Sequence, residues 1–277
     1  MSTEARERSW HDGEPLLLLR FACADRLWRY TTADHDYRYG ADLYTAVPGG
    51  IGCASYTEGA ELRKLTRTIT VPTTLEVIQH GWPYPSSTPI TLTVMTTHEG
   101  EDDVWVDWIG RIVGVRRLNH GVVELKGEPS QTAARQRALN RCWQRACPLV
   151  LYSQGEGQCN VNPEQYAVTG IVAALSGLTV YSEAVVAFPF GRLVGGYIEY
   201  TRDGGLIERR GVAAQLAWNA IQLEYGAPDL SAGTPVRLYP GCAQTFIDCA
   251  EYFGNQNNYG GIPWLPTRSP FDGHPLW

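Results

Sequence analysis

Cysteine is the residue type whose number and spacing most suggest chemistry in this sequence. Seven cysteines are present, and four of them form two loosely spaced pairs in the second half, Cys147-x11-Cys159 and Cys242-x6-Cys249. Four thiolates can bind a tetrahedral zinc ion or an iron–sulfur cluster. Neither pair has the tight spacing of a zinc knuckle, whereas a cluster offers several separated irons as ligation points. The spacing therefore favours a cluster, with zinc as the less favoured occupant.

Two other interpretations of the cysteines stay open from the sequence. Cys142-x4-Cys147 matches the first spacing of plant-type ferredoxins, but the next step of that pattern is missing. Free cysteines are also often buried as small apolar side chains. Because the N-terminus is polar and predicts no export signal, we expect a reducing compartment, where ligands or free thiols are commoner than disulfides.

The remaining candidate groups are better explained as solvated loops and faces. Residues 34–36 and 98–103 place acidic side chains beside a histidine, but both segments are predicted turns. No metalloprotease, nucleophile-elbow, Walker or dinucleotide-binding pattern occurs. A basic stretch could contact DNA phosphates, but a solvated helix face explains it better; it comprises Arg135, Arg137, Arg141 and Arg145.

Composition and charge narrow the class of protein. The chain has 277 residues, enough for one large domain or two modest ones, and 44% of them are hydrophobic. Its formal net charge of −6 argues against a protein that coats nucleic acid. Nothing approaches 18 consecutive apolar residues, so we expect no membrane span. High glycine, proline and tyrosine contents are typical of a loop-rich β protein.

The first half of the chain is predicted to form a series of short strands. A polar lead-in covers residues 1–14. Alternating apolar residues then begin with Leu17, Leu19, Phe21 and Cys23 on one face, and similar runs follow up to about residue 128. Short strands separated by polar turns predict a β-barrel or β-sandwich over residues 15–128.

The second half, residues 129–277, is predicted to be a separate, loop-rich β domain with short helices. Its start is marked by Gly127 to Ser130, after which residues 131–140 favour a short helix. A hairpin is predicted with arms at 196–202 and 206–212, and a second short helix at 246–253. The C-terminal apolar residues should pack on this chain or on a neighbouring copy; they are Trp264, Pro266, Pro270, Phe271 and Trp277.

An ordered set of motifs in the second half resembles a known family. Residues 147–152 and 157–162 are similar to a Cys-x-x-x-Leu-Tyr…Cys-Gly-Val-Asp pattern, and residues 239–242, 245–255 and 258–263 provide a second match. Together they resemble the phage tail-tip hub proteins related to the minor tail protein L of lambda-like phages and to the hub of gene transfer agents. Residues 28–46 resemble, more loosely, the opening of such hubs, where tail-tube-like β-domains form a ring.

This resemblance implies a structural protein of the virion that is made in the host bacterial cytoplasm. Hubs of this family are trimers that connect the tail tube and distal tail protein to the central tip or fibre protein. They surround a lumen through which genome DNA can pass without specific binding. The resemblance also implies a [4Fe–4S] cluster held by Cys147, Cys159, Cys242 and Cys249. Because Gln158 and Asn160 depart from the pattern around the second cysteine, Cys142 is the alternative ligand.

Two other classes of function are weighed against the hub. A zinc- or iron–sulfur-dependent, tail-associated cell-wall hydrolase would need an open metal position and a placed general acid or base. Four thiolates on one metal would close the site, and no convincing carboxylate or histidine partner is visible. The other class is a binding module with reduced cysteines and no metal. The prediction is therefore a non-enzymatic hub.

Overall fold

The computed structural model describes residues 15–24, 26–54, 66–81, 84–99, 103–131, 142–202 and 205–266. The chain divides into two compact units, Met1–Arg137 and Ala138–Trp277. The change of composition after residue 128 lies close to this division. Each unit has its own sheet and its own hydrophobic core, and the two are described separately.

The first unit is built on a nine-stranded, largely antiparallel sheet. Its strand order is β3-β4-β2-β1-β7-β8-β9-β6-β5, and one short helix, α1 (Glu76–Gly81), lies between β6 and β7 in the chain. The strands are β1 (Pro15–Cys23), β2 (Arg26–Thr31), β3 (Tyr37–Tyr39), β4 (Asp42–Ala46), β5 (Gly52–Cys53), β6 (Arg67–Pro72), β7 (Thr91–His98), β8 (Trp105–Arg117) and β9 (Val122–Pro129).

Strand β1 shows how the apolar pattern leads to this sheet. Leu19, Phe21 and Cys23 are buried in the core and Arg20 is exposed, as the alternation predicts. Leu18 is also fully buried, although it lies on the opposite face of the strand, as does the buried Leu16. Both faces of this strand are therefore covered along part of its length, which a simple two-residue alternation does not predict.

The second unit contains a seven-stranded antiparallel sheet with the order β10-β16-β13-β14-β15-β12-β11. The strands are β10 (Val168–Ile171), β11 (Ala174–Ser176), β12 (Thr179–Tyr181), β13 (Tyr197–Thr201), β14 (Ile207–Ala217), β15 (Ala220–Leu223) and β16 (Pro235–Tyr239). Short 3₁₀ helices cover Pro163–Gln165, Glu183–Ala187 and Gln256–Asn258. Helix α2 (Phe246–Glu251) follows the last strand.

A buried ionic network lies near the turn that joins β13 and β14. Glu208 has no exposed surface, and its two carboxylate oxygens lie 2.7 Å from Arg210 Nη1 and 3.6 Å from Arg202 Nη1. Arg202 also donates to Asp229 through Nε at 2.7 Å. Because each charge has a partner of opposite sign, the network satisfies groups whose burial alone would be unfavourable.

The prediction of a mainly β protein is confirmed. The hairpin joining β13 and β14 and the helix at 246–251 are both present. Apart from Gln131, the helix predicted over 131–140 lies outside the described residues. Within the described ranges, no helix is long and apolar enough to cross a membrane.

Candidate metal centre

The four cysteines predicted as ligands line one cavity in the second unit. This cavity has a volume of about 410 Å³, and its walls include Cys147, Cys159, Cys242 and Cys249. The cysteines come from two parts of the chain, the loop before β10 and the segment after β16. The fold therefore brings together two pairs of thiols that are far apart in sequence.

The alternative ligand Cys142 is not at this cavity. Its side chain is exposed, and it is not among the residues that form the wall. Cys159 lines the cavity despite its atypical neighbours Gln158 and Asn160. Asn160 has a φ of 57°, so its side chain suits a left-handed position that ends the loop. Of these two candidates for the second position, Cys159 lines the cavity and Cys142 does not.

The loop that carries Cys147 and Cys159 is held by its own backbone and by neighbouring segments. The Cys147 N–H donates to the carbonyl of Gln244 at 2.8 Å, which joins the two cysteine-bearing segments directly. The Cys159 N–H donates to Ser153 Oγ at 3.2 Å, and the Ser153 carbonyl accepts from the N–H of Asn160 at 2.7 Å. These bonds set the path of the loop around the cavity.

Cys242 follows strand β16 at a point where two backbone segments touch. The Gly241 N–H donates to the carbonyl of Arg192 at 2.8 Å. A Cβ atom on Gly241 would lie 1.9 Å from the Val194 carbonyl oxygen, so only glycine fits there without movement. Gln244, two residues after Cys242, has a φ of 59° and donates its N–H to Cys242 Sγ at 3.3 Å. The turn therefore aims a backbone donor at this sulfur.

Cys249 lies on helix α2, whose start is fixed by Thr245. The Thr245 hydroxyl accepts from the N–H of Asp248 at 3.2 Å, a typical N-cap. The Cys249 thiol donates to the carbonyl of Asn255 at 3.3 Å. Helix capping and the turn after the helix thus orient the fourth thiol.

Two further hydrogen bonds are directed at cysteine sulfurs. The Gly260 N–H donates to Cys147 Sγ at 3.4 Å. The side-chain amide of Asn255 lies 3.9 Å from Cys159 Sγ. N–H donors around sulfur stabilise negative charge on a thiolate, as they do around metal-bound cysteine. Three of the four sulfurs therefore accept from a nitrogen donor in this structure.

Burial raises the pKa of two of the thiols. For Cys242 the pKa is about 11, chiefly through desolvation, with the nearby Asp248 carboxylate as a further cause. For Cys249 it is also about 11, through desolvation and then the neighbouring thiols Cys147 and Cys159. These groups stay protonated at neutral pH in the metal-free chain. Since a metal binds the thiolate, a cation at this position would release the protons.

An ion pair and an aromatic ring support the segment between Cys242 and Cys249. Arg192 Nη2 lies 2.6 Å from Asp248 Oδ1, and its guanidinium carbon lies 3.8 Å from the centre of the Tyr252 ring. The other Asp248 oxygen accepts from the Ala243 N–H at 2.8 Å. Sequence reasoning missed Arg192 and Asp248, because their partnership joins positions 56 residues apart and has no local pattern.

Tyrosine and phenylalanine rings form one wall of the cavity. Tyr152 makes edge contacts with Tyr197, Tyr239 and Phe253, with ring centroids 6.1 to 6.4 Å apart. Its hydroxyl donates to the Pro240 carbonyl at 2.8 Å, and its φ is 65°. A non-glycine residue in this region costs about 1–2 kcal/mol, which the packing of the ring must offset. Tyr152, Tyr197 and Phe253 therefore form an aromatic part of the cavity lining.

The described residues do not show a metal-binding group, so the four-cysteine site stays a prediction. Among the described residues, no group of three or more His, Cys, Asp or Glu side chains could hold one metal ion. The four thiols nevertheless face one cavity, from separate positions on its wall. An iron–sulfur cluster is ligated at separate irons, so its thiolates do not have to converge on a single point.

The other sequence candidates that the structure describes are not among the residues lining this cavity. His35 is half exposed and pairs with Asp34 at 2.8 Å and Glu99 at 3.5 Å, as in a solvated loop. His98 is buried beside Trp105. Arg145 donates to the Leu265 carbonyl. Arg135, Arg137, Arg141 and residues 100–102 lie outside the described residues.

The C-terminal aromatic residues are described only in part. Trp264 is 83% exposed, and its ring lies 6.3 Å from that of Phe246. Pro270, Phe271 and Trp277 lie outside the described residues, so their packing stays a prediction.

Comparison with known proteins finds a phage protein family that matches part of this chain. Residues 191–269, which include Cys242 and Cys249, match a family described as phage conserved hypothetical protein BR0599. An uncharacterized protein of Xylella fastidiosa (strain 9a5c) is 30% identical over 190 residues, which are 64% of this chain. The chain spans 39% of the length of that relative.

A solved structure has the same overall fold. It is a chain from the virion of a native gene transfer agent particle, with a TM-score of 0.69 and 19% sequence identity. The match covers 100% of this chain and 99% of the other. At this identity the comparison shows a common fold.

Proposed function

We propose that this protein is a structural subunit of a phage-type virion and forms the hub of the tail tip. The observation that carries this proposal is the full-length fold match to a chain of the gene transfer agent virion. The phage family match over residues 191–269 supports it independently of the fold. The second group of hub motifs, residues 239–263 around Cys242 and Cys249, lies in the same part of the chain.

In this role the protein assembles as a trimeric ring with specific neighbours. It connects the tail tube and distal tail protein to the central tip or fibre protein. Genome DNA passes through its lumen without specific binding, in keeping with the acidic net charge of the chain. Large exposed apolar side chains support burial between subunits. In the second unit, Phe190 and Trp218 are more than half exposed and contact each other at 5.3 Å.

The second part of the proposal is a [4Fe–4S] cluster held by Cys147, Cys159, Cys242 and Cys249. All four thiols line one cavity, and N–H groups are aimed at three of the sulfurs. A cluster bound there would join the loop before β10 to the segment after β16. Cross-linking a loop of roughly 90 residues restricts the unfolded chain by about 4–5 kcal/mol, by analogy with a disulfide. Its role is therefore to hold the second unit together.

Anaerobic purification followed by metal analysis tests the cluster. The full chain should be brown, absorb near 400 nm and contain about four irons and four sulfides. Cys249→Ser should lose most of the iron, whereas Cys142→Ser, a matched exposed cysteine, should keep it. A colourless protein with one zinc ion per chain would indicate a zinc site and reject the cluster. Absence of any metal would reject the cofactor.

Assembly state tests the hub separately from the cofactor. Analytical ultracentrifugation of the purified chain, alone and with the distal tail protein, should detect a trimer and its complex. A chain that stays monomeric under both conditions would contradict the ring. A cell-wall hydrolysis assay on the same sample distinguishes a hub from the tail-associated hydrolase, since only the hydrolase would release peptidoglycan fragments.

A further inference from the structure

Asn255 contacts two of the four thiol-bearing residues at once. Its side-chain nitrogen donates to the Cys159 carbonyl at 2.5 Å and lies 3.9 Å from Cys159 Sγ. Its backbone carbonyl accepts from the Cys249 thiol at 3.3 Å, and its N–H donates to the Cys249 carbonyl at 2.9 Å. One residue therefore connects cysteines that are 90 positions apart in the chain.

A second asparagine fixes the orientation of this amide. Asn258 Nδ2 donates to Asn255 Oδ1 at 2.7 Å. Because the oxygen of Asn255 is occupied by this donor, its NH₂ group faces Cys159. Asn258 itself is held by the 3₁₀ helix Gln256–Asn258, in which its N–H donates to the Asn255 carbonyl at 3.0 Å.

We propose that Asn255 is a positioning residue for the cluster: its amide sets the place of Cys159 and donates toward its sulfur, and so raises the reduction potential. This inference rests on the proposed cluster. An amide donor is neutral, so it stabilises charge on sulfur without contributing a formal charge of its own. Hydrogen bonds to the sulfurs favour the more negative, reduced state of such a cluster.

The local backbone supports a positioning role. Gly254 has a φ of 59°, and this left-handed turn ends helix α2 and directs the chain back toward the cavity. Both Asn255 and Asn258 form part of the cavity wall. Neither side chain carries a charge, and neither is needed to cap helix α2, whose first turn is capped by Thr245. Their hydrogen-bonding groups are directed at the cysteine loop and at each other.

The test measures the midpoint potential and the visible circular dichroism of the full chain after anaerobic purification. Asn255→Ala should keep the iron and lower the midpoint potential. At a fixed solution potential, the ratio of reduced to oxidised cluster should fall about tenfold. For one electron that ratio corresponds to about 59 mV. Asn255→Asp should lower the potential further, since a carboxylate replaces a donor. Asn257→Asp, the same charge change at an exposed neighbour, should shift it much less.

The outcomes separate this inference from the proposed cofactor. A wild-type chain without iron and sulfide rejects both. A loaded wild-type chain whose potential and dichroism match those of Asn255→Ala overturns the role of Asn255 and leaves the cluster in place. If Asn255→Ala loses its iron, the potential of Asn258→Ala tests the role of Asn255 instead. This variant removes only the hydrogen bond from Asn258 that orients the Asn255 amide. A lowered potential in that variant supports the proposal, and an unchanged one overturns it.

Discussion

Breaking the ion pair between Arg192 and Asp248 should destabilise the second unit by more than an ordinary surface pair would. The two side chains are 20% and 10% exposed and lie 2.6 Å apart. Asp248→Ala removes the partner of a largely buried guanidinium and also the acceptor of the Ala243 N–H. Removing one member of a buried pair costs about 3–5 kcal/mol, and an exposed pair is worth about 0–1 kcal/mol. We expect a loss of about 2–3 kcal/mol.

The matched control for this variant is an exposed pair in the first unit. Arg111 Nη2 lies 3.2 Å from Glu128 Oε2, and the side chains are 51% and 32% exposed. Glu128→Ala should therefore lower the free energy of unfolding by less than about 1 kcal/mol. Urea denaturation of the full-length variants at pH 7, followed by circular dichroism, measures both losses. Equal and small losses in the two variants would refute the reasoning from burial.

The pKa of Asp248 predicts how the difference in free energy of unfolding between wild type and Asp248→Ala depends on pH. Burial alone would raise the pKa of Asp248, but hydrogen bonds from Arg192 and from the Ala243 N–H outweigh it, so the pKa is lowered. A carboxylate with a lowered pKa in the folded state contributes its stability above its unfolded pKa, near 3.9. That contribution is lost as the pH falls through the folded value. The gap between wild type and Asp248→Ala should therefore be constant from pH 7 to about 5 and shrink below about pH 4.

Two further substitutions and one labelling experiment test the second unit. Gly241→Ala places a Cβ 1.9 Å from the Val194 carbonyl oxygen, so thermal unfolding should show a loss of more than about 2 kcal/mol. Glu208→Gln leaves two buried arginines without their shared carboxylate and should lower the free energy of unfolding by about 3 kcal/mol in urea titrations. In metal-free protein, iodoacetamide at pH 8 should label exposed Cys142 before Cys249, whose pKa is about 11, as mass spectrometry of the peptides would show.

Strand periodicity was the part of the fold most accessible from sequence. Strands β6 to β9 and the β13–β14 hairpin follow from alternating apolar residues and turn residues between them. Helix α1 (Glu76–Gly81) was not predicted, because six residues carry too little periodic signal. The burial of Leu18 was also missed, since it depends on what covers the second face of the sheet.

For the candidate site, residue types and spacing determined which four cysteines to consider and which chemistry they favour. Spacing left Cys142 open as an alternative to Cys159, because it does not record that Cys142 is exposed and absent from the cavity wall. Nor could it identify Asn255, although the residue lies within a motif that the sequence analysis singled out.

The positions of the cysteines and of Asn255 depend on tertiary structure for one physical reason. Strand formation is local, so alternating side chains record it in the order of residues. The cysteine cavity is formed by contacts between segments nearly 100 residues apart, such as Cys147 N–H with Gln244 and Asn255 with Cys159. Such contacts depend on the path of the chain after β16. This path produces no periodic pattern in the local sequence. The sequence alone determined the mainly β class and the candidate thiols, and only the folded chain decided which four of them line one cavity.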